Sequence, residues 1–260
     1  MTGPEPERPP RPEEARAALS TEATLDLLRH GRLEVRGRLV TASNITLLCT
    51  AVGADPISGG NLERLCVYKP IRGEAPLWDF PDGTLAHREV SAYRVSEETG
   101  WGIVPPTVFR DGPFGPGMVQ VWIDTDPRVD VVGLVRGGDT ALRPIAVFDA
   151  VVNNADRKAG HLLPTADGHV YGVDHGVCFS TDPKLRTVLW GWRRTALSPQ
   201  EVAVLERLRT RLDGSLGADL ARLLDPAEVA ATARRIEDLL RDGCLPAPDP
   251  DRPAIPWPWF

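Results

Sequence analysis

The run Val151-Val152-Asn153-Asn154-Ala155-Asp156-Arg157-Lys158-Ala159-Gly160-His161 leaves an apolar stretch and packs an acid, two bases and an imidazole into a few loop positions. Leu162-Leu163, a turn at Thr165-Ala166-Asp167-Gly168 and the strand-like His169–Val173 follow, and the chain then delivers Asp174-His175-Gly176. A β-hairpin brings its two ends together. The loop before its first strand and the residue after its second therefore lie side by side, so Asp156, His161 and Asp174 are expected to converge. Two carboxylates and an imidazole suit a divalent cation, and hard oxygen ligands favour Mg²⁺ or Mn²⁺. The structural alternative has Asp156 capping a turn and Asp174 paired with Arg157. A second set is Lys69, which ends the apolar run Leu65-Cys66-Val67-Tyr68, and Glu89, twenty residues on in a helical stretch. A strand lysine held by a helix glutamate is oriented toward nucleotide phosphates.

The elements that must position these residues change character near residue 125. Before it, β-type runs dominate: Leu33–Val40, Ile45–Val52, Leu62–Tyr68, Thr107–Arg110 and Met118–Ile123. The polar Thr41-Ala42-Ser43-Asn44 joins the first two as a hairpin. One helix, Thr84–Glu98, opens after Asp82-Gly83 with Leu85, Val90, Tyr93 and Val95 as its apolar positions. After residue 125 helices take over, beginning with an apolar one at Thr140–Val152. Ser198-Pro199-Gln200-Glu201 and Asp225-Pro226-Ala227-Glu228 each supply an N-cap, a proline at the first helical position and a capping-box acid. The second of these helices is expected to end at Gly243. This is an α+β pattern of two lobes: residues 1–20 a disordered Pro/Glu-rich tail, 21–124 a β-rich N-lobe with one helix, 125–245 a helical C-lobe, and 246–260 a Pro/Trp-rich tail. The aromatic end, Trp257-Pro258-Trp259-Phe260, is expected to pack back on the body, with a peptide for a protein partner as the alternative.

The order strand lysine, helix glutamate, apolar hinge, Asp-Arg loop, hairpin, Asp-X-Gly resembles the phosphatidylinositol 3-/4-kinase-like branch of the protein-kinase-like superfamily, which includes the HipA-type serine kinases. Val67-Tyr68-Lys69-Pro70, Asn153-Asn154-Ala155-Asp156-Arg157-Lys158 and Val173-Asp174-His175-Gly176-Val177 are similar to a phosphatidylinositol-kinase-like family of high-GC bacteria. The resemblance spans residues 33–195. It implies a two-lobed protein-kinase-like fold with ATP and Mg²⁺ or Mn²⁺ as cofactors. Lys69 would meet the α/β-phosphates with Glu89 as its partner, and the turn at Ser43-Asn44 would cover the phosphates. Main-chain atoms of Gln120, Val121 and Trp122 would meet the adenine. Asp156 would accept the proton of the attacking hydroxyl, and Asp174 would hold the metal. His161 stands where the superfamily places a metal-binding asparagine. Imidazole is a poor Mg²⁺ ligand, so this departure implies loss of the second metal or a preference for Mn²⁺.

Composition narrows the field. At 260 residues and 42% apolar content the chain can build a proper core. No apolar run approaches the ~20 residues of a membrane-spanning helix, and the opening Met-Thr-Gly-Pro-Glu-Pro-Glu lacks a signal pattern, so a cytoplasmic protein is expected. A formal charge of −6 is the wrong sign for holding nucleic acid over a whole surface. Cys49, Cys66, Cys178 and Cys244 form no CxxC pair, and reduced thiols are expected. The basic stretch Lys184, Arg186, Arg193 and Arg194, interleaved with Trp190 and Trp192, would suit an anionic acceptor or an acidic protein surface. Neither a P-loop nor a Gly-x-Ser-x-Gly elbow occurs. The leading expectation is a kinase-like phosphotransferase acting on a hydroxyl of a protein or soluble acceptor. The alternatives are a pseudokinase that binds nucleotide and regulates a partner, a metal-dependent hydrolase built on Asp156, His161, Asp174 and His175, and a nucleotidyl transferase.

Overall fold

The computed structural model describes residues 19–39, 44–54 and 60–260. The expected disordered tail therefore lies outside the described residues, apart from its last two positions. The hairpin turn does too, apart from Asn44.

Five strands form one antiparallel sheet in the order β1-β2-β3-β5-β4. They are β1 (Arg32–Arg38), β2 (Leu47–Ala54), β3 (Asn61–Pro70), β4 (Thr107–Gly112) and β5 (Gly115–Val121). All five expected strands are present, because runs of Val, Ile, Leu and Tyr suit a pleated surface covered on one side. β1 is one edge of the sheet, mostly exposed, and its register with β2 slips between Val35 and Gly37. Such a bulge twists an edge away from further pairing. At the other end of β3, Lys69 pairs with Met118 and Pro70 with Gly117. A side chain at Gly117 would run into the Lys69 carbonyl oxygen and meet the Pro70 Cα at 2.7 Å. Glycine there lets β5 come close to the strand that carries the lysine.

Two helices cover the sheet. α1 (Thr21–His30), which the sequence reading passed over, is capped by Ser20 and buries Leu25, Leu27 and Leu28. α2 (Leu85–Thr99) is buried on most of its circumference and closes at Gly100, whose left-handed φ of 71° only glycine adopts freely. Its start is unusual. Thr84 makes no side-chain cap; instead the Glu74 carboxylate accepts from the N–H groups of Leu85 (3.1 Å) and Ala86 (2.8 Å). A carboxylate at this end also complements the helix dipole.

The second half is helical: α3 (Val131–Gly137), α4 (Arg143–Val152), α5 (Pro199–Leu212), α6 (Ser215–Leu220) and α7 (Pro226–Asp242). The capping boxes at Ser198 and Asp225 form as expected, and Gly243 ends α7 in the left-handed region. α3 and α6 are further short helices. Between α4 and α5 lies the small hairpin β6 (Leu162–Pro164) and β7 (Val170–Gly172). One continuous core runs from the sheet through α2 into α4, α5 and α7, with Tyr68, Val119, Phe148, Leu205 and Ile236 all fully buried. Cys49, Cys66 and Cys178 are free thiols inside it. No helix among the described residues is long and apolar enough to cross a membrane.

The aromatic end does pack back on the body. The Trp259 carbonyl accepts from the Ala159 N–H at 2.9 Å, and the Ala254 carbonyl accepts from the Thr187 N–H (3.1 Å) and from Trp190 Nε1 (2.8 Å). Trp257 and Phe260 keep most of their surface exposed.

Candidate active site

Lys69 reaches across the junction of the two halves. Its Nζ lies 2.6 Å from Glu89 Oε1 on α2 and 3.0 Å from Asp174 Oδ1 at the end of the hairpin. Glu89 is buried, and its other oxygen accepts from the His175 N–H at 2.8 Å. One glutamate thus ties the strand lysine to the backbone beside Asp174. Burial alone would lower the Lys69 pKa, but the carboxylates of Asp174 and Glu89 outweigh it and hold the ammonium charged. The same ammonium holds the Asp174 carboxyl well below the usual carboxylate range. Asp174 itself is half exposed and adopts a left-handed φ of 63°. Its second oxygen, Oδ2, lies 3.4 Å from His161 Nε2. Burial pushes the His161 pKa down to about 4, so the ring is neutral near pH 7.

The hairpin brings its ends together as the sequence implies: the Val173 N–H donates to the His161 carbonyl at 3.0 Å. Asp156 lies close enough for the Asp174 charge to act on it. Its pKa is raised, chiefly by burial, against the opposing pull of Lys158, whose Nζ is 3.2 Å away. The expected three-ligand metal cluster is nevertheless not assembled. Among the described residues, no three His, Cys, Asp or Glu side chains come together closely enough to hold a metal. Lys69 takes one oxygen of Asp174 and His161 faces the other.

Arg157 is not the partner of Asp174. It is fully buried and pairs with Asp149 of α4 (Nη2 to Oδ1, 2.9 Å), donates Nη1 to the Val173 carbonyl, and approaches His175 Nε2 at 2.6 Å. A guanidinium has only donors, so His175 Nε2 is the acceptor and the ring proton sits on Nδ1. That Nδ1 is buried without a partner among the described residues, and burial drives the ring firmly to its neutral form. Nor does Asp156 act as a turn cap. The cap belongs to Asn154, whose Oδ1 accepts from the Asp156 N–H at 2.9 Å while its Nδ2 bonds Asp149. Asn153 ends α4 in the left-handed region and holds the following loop through the Ser180 and Asp182 carbonyls.

No protein-family model matches the chain. Protein Rv2133c of Mycobacterium tuberculosis is 43% identical to it, across 90% of this chain and 94% of that protein. The chain belongs to the Rv2133c family. This Rv2133c-family chain is also similar to phosphatidylinositol 4-kinase gamma 4 of Arabidopsis thaliana, 28% identical over 62% of its length, and to the protein of the same name from Oryza sativa subsp. japonica, 27% over 53%. It spans 33% and 27% of those two longer proteins. Among solved structures, the Helicobacter pylori proinflammatory kinase CtkA is 12% identical, with a TM-score of 0.48 over 84% of this chain and 94% of that one.

The remaining expected residues of the Rv2133c-family chain fall differently. Ser43 lies outside the described residues. Asn44 stands at the rim of a narrow cleft lined also by Ile45, Lys69, Glu89, Asp174 and Gly176, and its Oδ1 accepts from the Ala75 N–H at 2.7 Å. A roomier cavity of about 250 Å³ adjoins this cleft, sharing Glu74 and Leu85. Adenine was expected to meet main-chain atoms of Gln120, Val121 and Trp122, and two of the donors there are engaged within the protein. The Gln120 side chain is buried against Thr107, the Val121 N–H goes to the Pro106 carbonyl, and the Trp122 N–H goes to the Leu65 carbonyl. The sheet thus takes the backbone donors of Val121 and Trp122.

Several positioning residues escaped the sequence reading. Asp149 carried a signal, an acid in the middle of an apolar helix, which is costly unless paired. Arg88, beside Glu89, had none. Its guanidinium bonds Glu228 of α7 at 2.6 Å and the Cys178 carbonyl at 2.7 Å, and lies over the Phe80 ring.

Proposed function

We propose that this chain has a two-lobed protein-kinase-like fold and is an ATP-dependent phosphotransferase that uses Mg²⁺ or Mn²⁺. The observation that carries the reading is Lys69 bonded at once to Glu89 and Asp174, which joins the sheet, helix α2 and the hairpin at one cleft. A lysine so held offers a fixed positive charge to the α/β-phosphates of a nucleotide. Asp174, half exposed and ionised, is the oxygen donor suited to the cation. Bound there, the cation would neutralise charge on the triphosphate. Asp156, on the loop fixed by Asn154 and Arg157, accepts the proton of the acceptor hydroxyl. The similarity to proteins named phosphatidylinositol 4-kinases supports phosphoryl transfer as the reaction class.

One observation favours a second reading, nucleotide binding with weak turnover: both Asp174 oxygens already face partners, Lys69 and the neutral His161 ring.

A thermal-shift titration with ATP, with and without MgCl₂ or MnCl₂, tests the proposal on wild type and Asp174→Ala. Wild type is expected to gain cation-dependent stability, about 2.7 kcal/mol at a hundredfold excess over Kd, and the variant to lose the cation dependence. Equal stabilisation of both, or none of wild type, would remove the assignment.

A further inference from the structure

Resting on that reading, the structure also bears on how the transferred phosphoryl group is held. Most cations around the cleft are committed to carboxylates. Lys69 is shared by Glu89 and Asp174, Lys158 Nζ lies 3.2 Å from an Asp156 oxygen, and Arg157 is buried against Asp149. Arg186 differs. Its Nε donates to the carbonyl of Ala155, the residue before Asp156, at 3.0 Å, and its two Nη groups have no partner among the described residues. The side chain is half buried. Burial raises the Asp156 pKa, and Arg186 is one of the groups that pull it back down, so the guanidinium charge reaches this carboxylate. The backbone around Arg186 is pinned on both sides. Before it, the Lys184 N–H donates to Asn153 Oδ1 at 2.9 Å. At it, the Arg186 N–H donates to the Asn154 carbonyl, and its own carbonyl accepts from the Arg157 N–H. After it, buried Thr187 donates its N–H to the Ala254 carbonyl and its hydroxyl to Asp149 Oδ2, and the Val188 N–H donates to the Arg157 carbonyl. Arg186 is thereby set in place relative to Asp156.

We infer that Arg186 is a catalytic residue whose free Nη edge binds the γ-phosphoryl group of ATP and meets its charge during transfer. Asp156 must come within about 2.6–3.2 Å of the acceptor hydroxyl to take its proton. That oxygen must in turn stand about 3–3.5 Å from the γ-phosphorus. A guanidinium mounted beside Asp156 is therefore within reach of the equatorial oxygens of the same phosphorus. Anchoring at Nε sets the plane of the group and leaves a fork for two parallel bonds, where an ammonium such as that of Lys158 offers a single point. In the transfer the acceptor oxygen bonds the γ-phosphorus, and its proton passes to an Asp156 oxygen. The bond from that phosphorus to the β–γ bridging oxygen breaks, and its electron pair leaves with ADP. Charge is spread over the three equatorial oxygens throughout, and an arginine that meets it is worth about 10³–10⁵ in rate at other phosphoryl-transfer sites. Because the groups holding Arg186 in place are already fixed, it needs no reorganisation as the reaction proceeds. ADP lacks the group that Arg186 touches, so this residue discriminates ATP from ADP.

The test uses the full chain with MnCl₂ and no acceptor, so that only nucleotide binding responds. Calorimetric titration compares ADP with a non-hydrolysable ATP analogue on wild type, Arg186→Gln and Arg186→Lys. Wild type is expected to bind the ATP analogue more tightly than ADP. Arg186→Gln is expected to weaken the ATP analogue about tenfold or more and to leave ADP unchanged, which shows that the loop and the rest of the site are intact. Arg186→Lys should fall between. ADP with aluminium fluoride, a mimic of the group in flight, is expected to bind wild type more tightly than ADP alone and to lose that advantage in Arg186→Gln. The inference is overturned if Arg186→Gln binds the ATP analogue as wild type does. It is overturned equally if ADP and the ATP analogue weaken together, because Arg186 then serves only the loop. Wild type binding ADP and the ATP analogue alike would overturn it while leaving the kinase reading in place. Failure of wild type to bind either nucleotide would remove the kinase reading itself, and the inference with it.

Discussion

Replacing Lys69 with methionine should unbalance the protein before any ligand is added. Glu89 is almost fully enclosed, and among the described residues the lysine is the side chain paired with its Oε1. Its other oxygen keeps the His175 N–H at 2.8 Å. Removing one partner of a buried pair costs about 3–5 kcal/mol. Half-exposed Asp174 adds little, because water screens it. Protonation limits the loss, since neutralising a carboxylate at pH 7 against its ordinary value near 4.3 costs about 3.7 kcal/mol, and at pH 5 only about 1 kcal/mol. The expected destabilisation of Lys69→Met is therefore about 3–4 kcal/mol at pH 7, shrinking to about 1 kcal/mol at pH 5. The sign follows from linkage: the folded variant holds a proton that the unfolded chain releases, so its stability falls as pH rises. Urea unfolding at both pH values, with m unchanged, measures this. Adding Glu89→Gln should restore most of the loss, because a neutral amide no longer buries an unpaired charge. A loss below about 1 kcal/mol at pH 7, or one independent of pH, would refute the reasoning that Lys69 neutralises a buried carboxylate.

Two further outcomes are expected. Asp149→Ala strands the fully buried Arg157 and should cost about 3–5 kcal/mol by urea unfolding, whereas joint replacement by Asp149→Leu and Arg157→Met should recover much of that; equal losses in both proteins would contradict it. Wild-type stability should fall as pH drops from about 6.5 toward 4, by up to about 3 kcal/mol from His161 alone. Burial has depressed this ring's folded pKa to about 4, so the unfolded chain binds its proton first. His161→Asn should flatten that part of the difference curve; a curve of unchanged slope would show that the ring is not the source.

Local chemistry made the scaffold readable. Strands β1 to β5 showed in the sequence as short β-type runs, and the capping boxes at Ser198 and Asp225 marked α5 and α7 within a residue. The Lys69 and Glu89 pairing was legible as a strand lysine followed by a helix glutamate, and the hairpin correctly placed Asp174 beside His161. What stayed hidden depends on contacts distant in sequence. The donors of Val121 and Trp122 are consumed by Pro106 and Leu65, which only sheet register decides. Arg157 chose Asp149 over Asp174 because α4 delivers a carboxylate into the interior, where an unpaired charge is intolerable. Glu74 caps a helix that begins eleven residues later, a distance at which no capping pattern applies. α1 was missed because Ser20 follows a Pro- and Glu-rich run that reads as unstructured, although Ser20-Thr21-Glu22 is itself a start signal.

The contact between Arg88 and Glu228 has a consequence for how this protein can be controlled. A helix bearing the lysine's partner can act as a switch only if it swings outward in a populated state. Here that swing would open a buried ion pair and release the Cys178 carbonyl, at a cost of about 3–5 kcal/mol. The outward state would then hold fewer than about one molecule in a hundred. An activator that works by pushing α2 inward would find nothing left to shift, and an inhibitor that works by pulling it out would have to bind that rare state over a hundredfold more tightly. In the phosphotransferase proposed above, regulation would act at the cleft, with α2 held in place by Arg88.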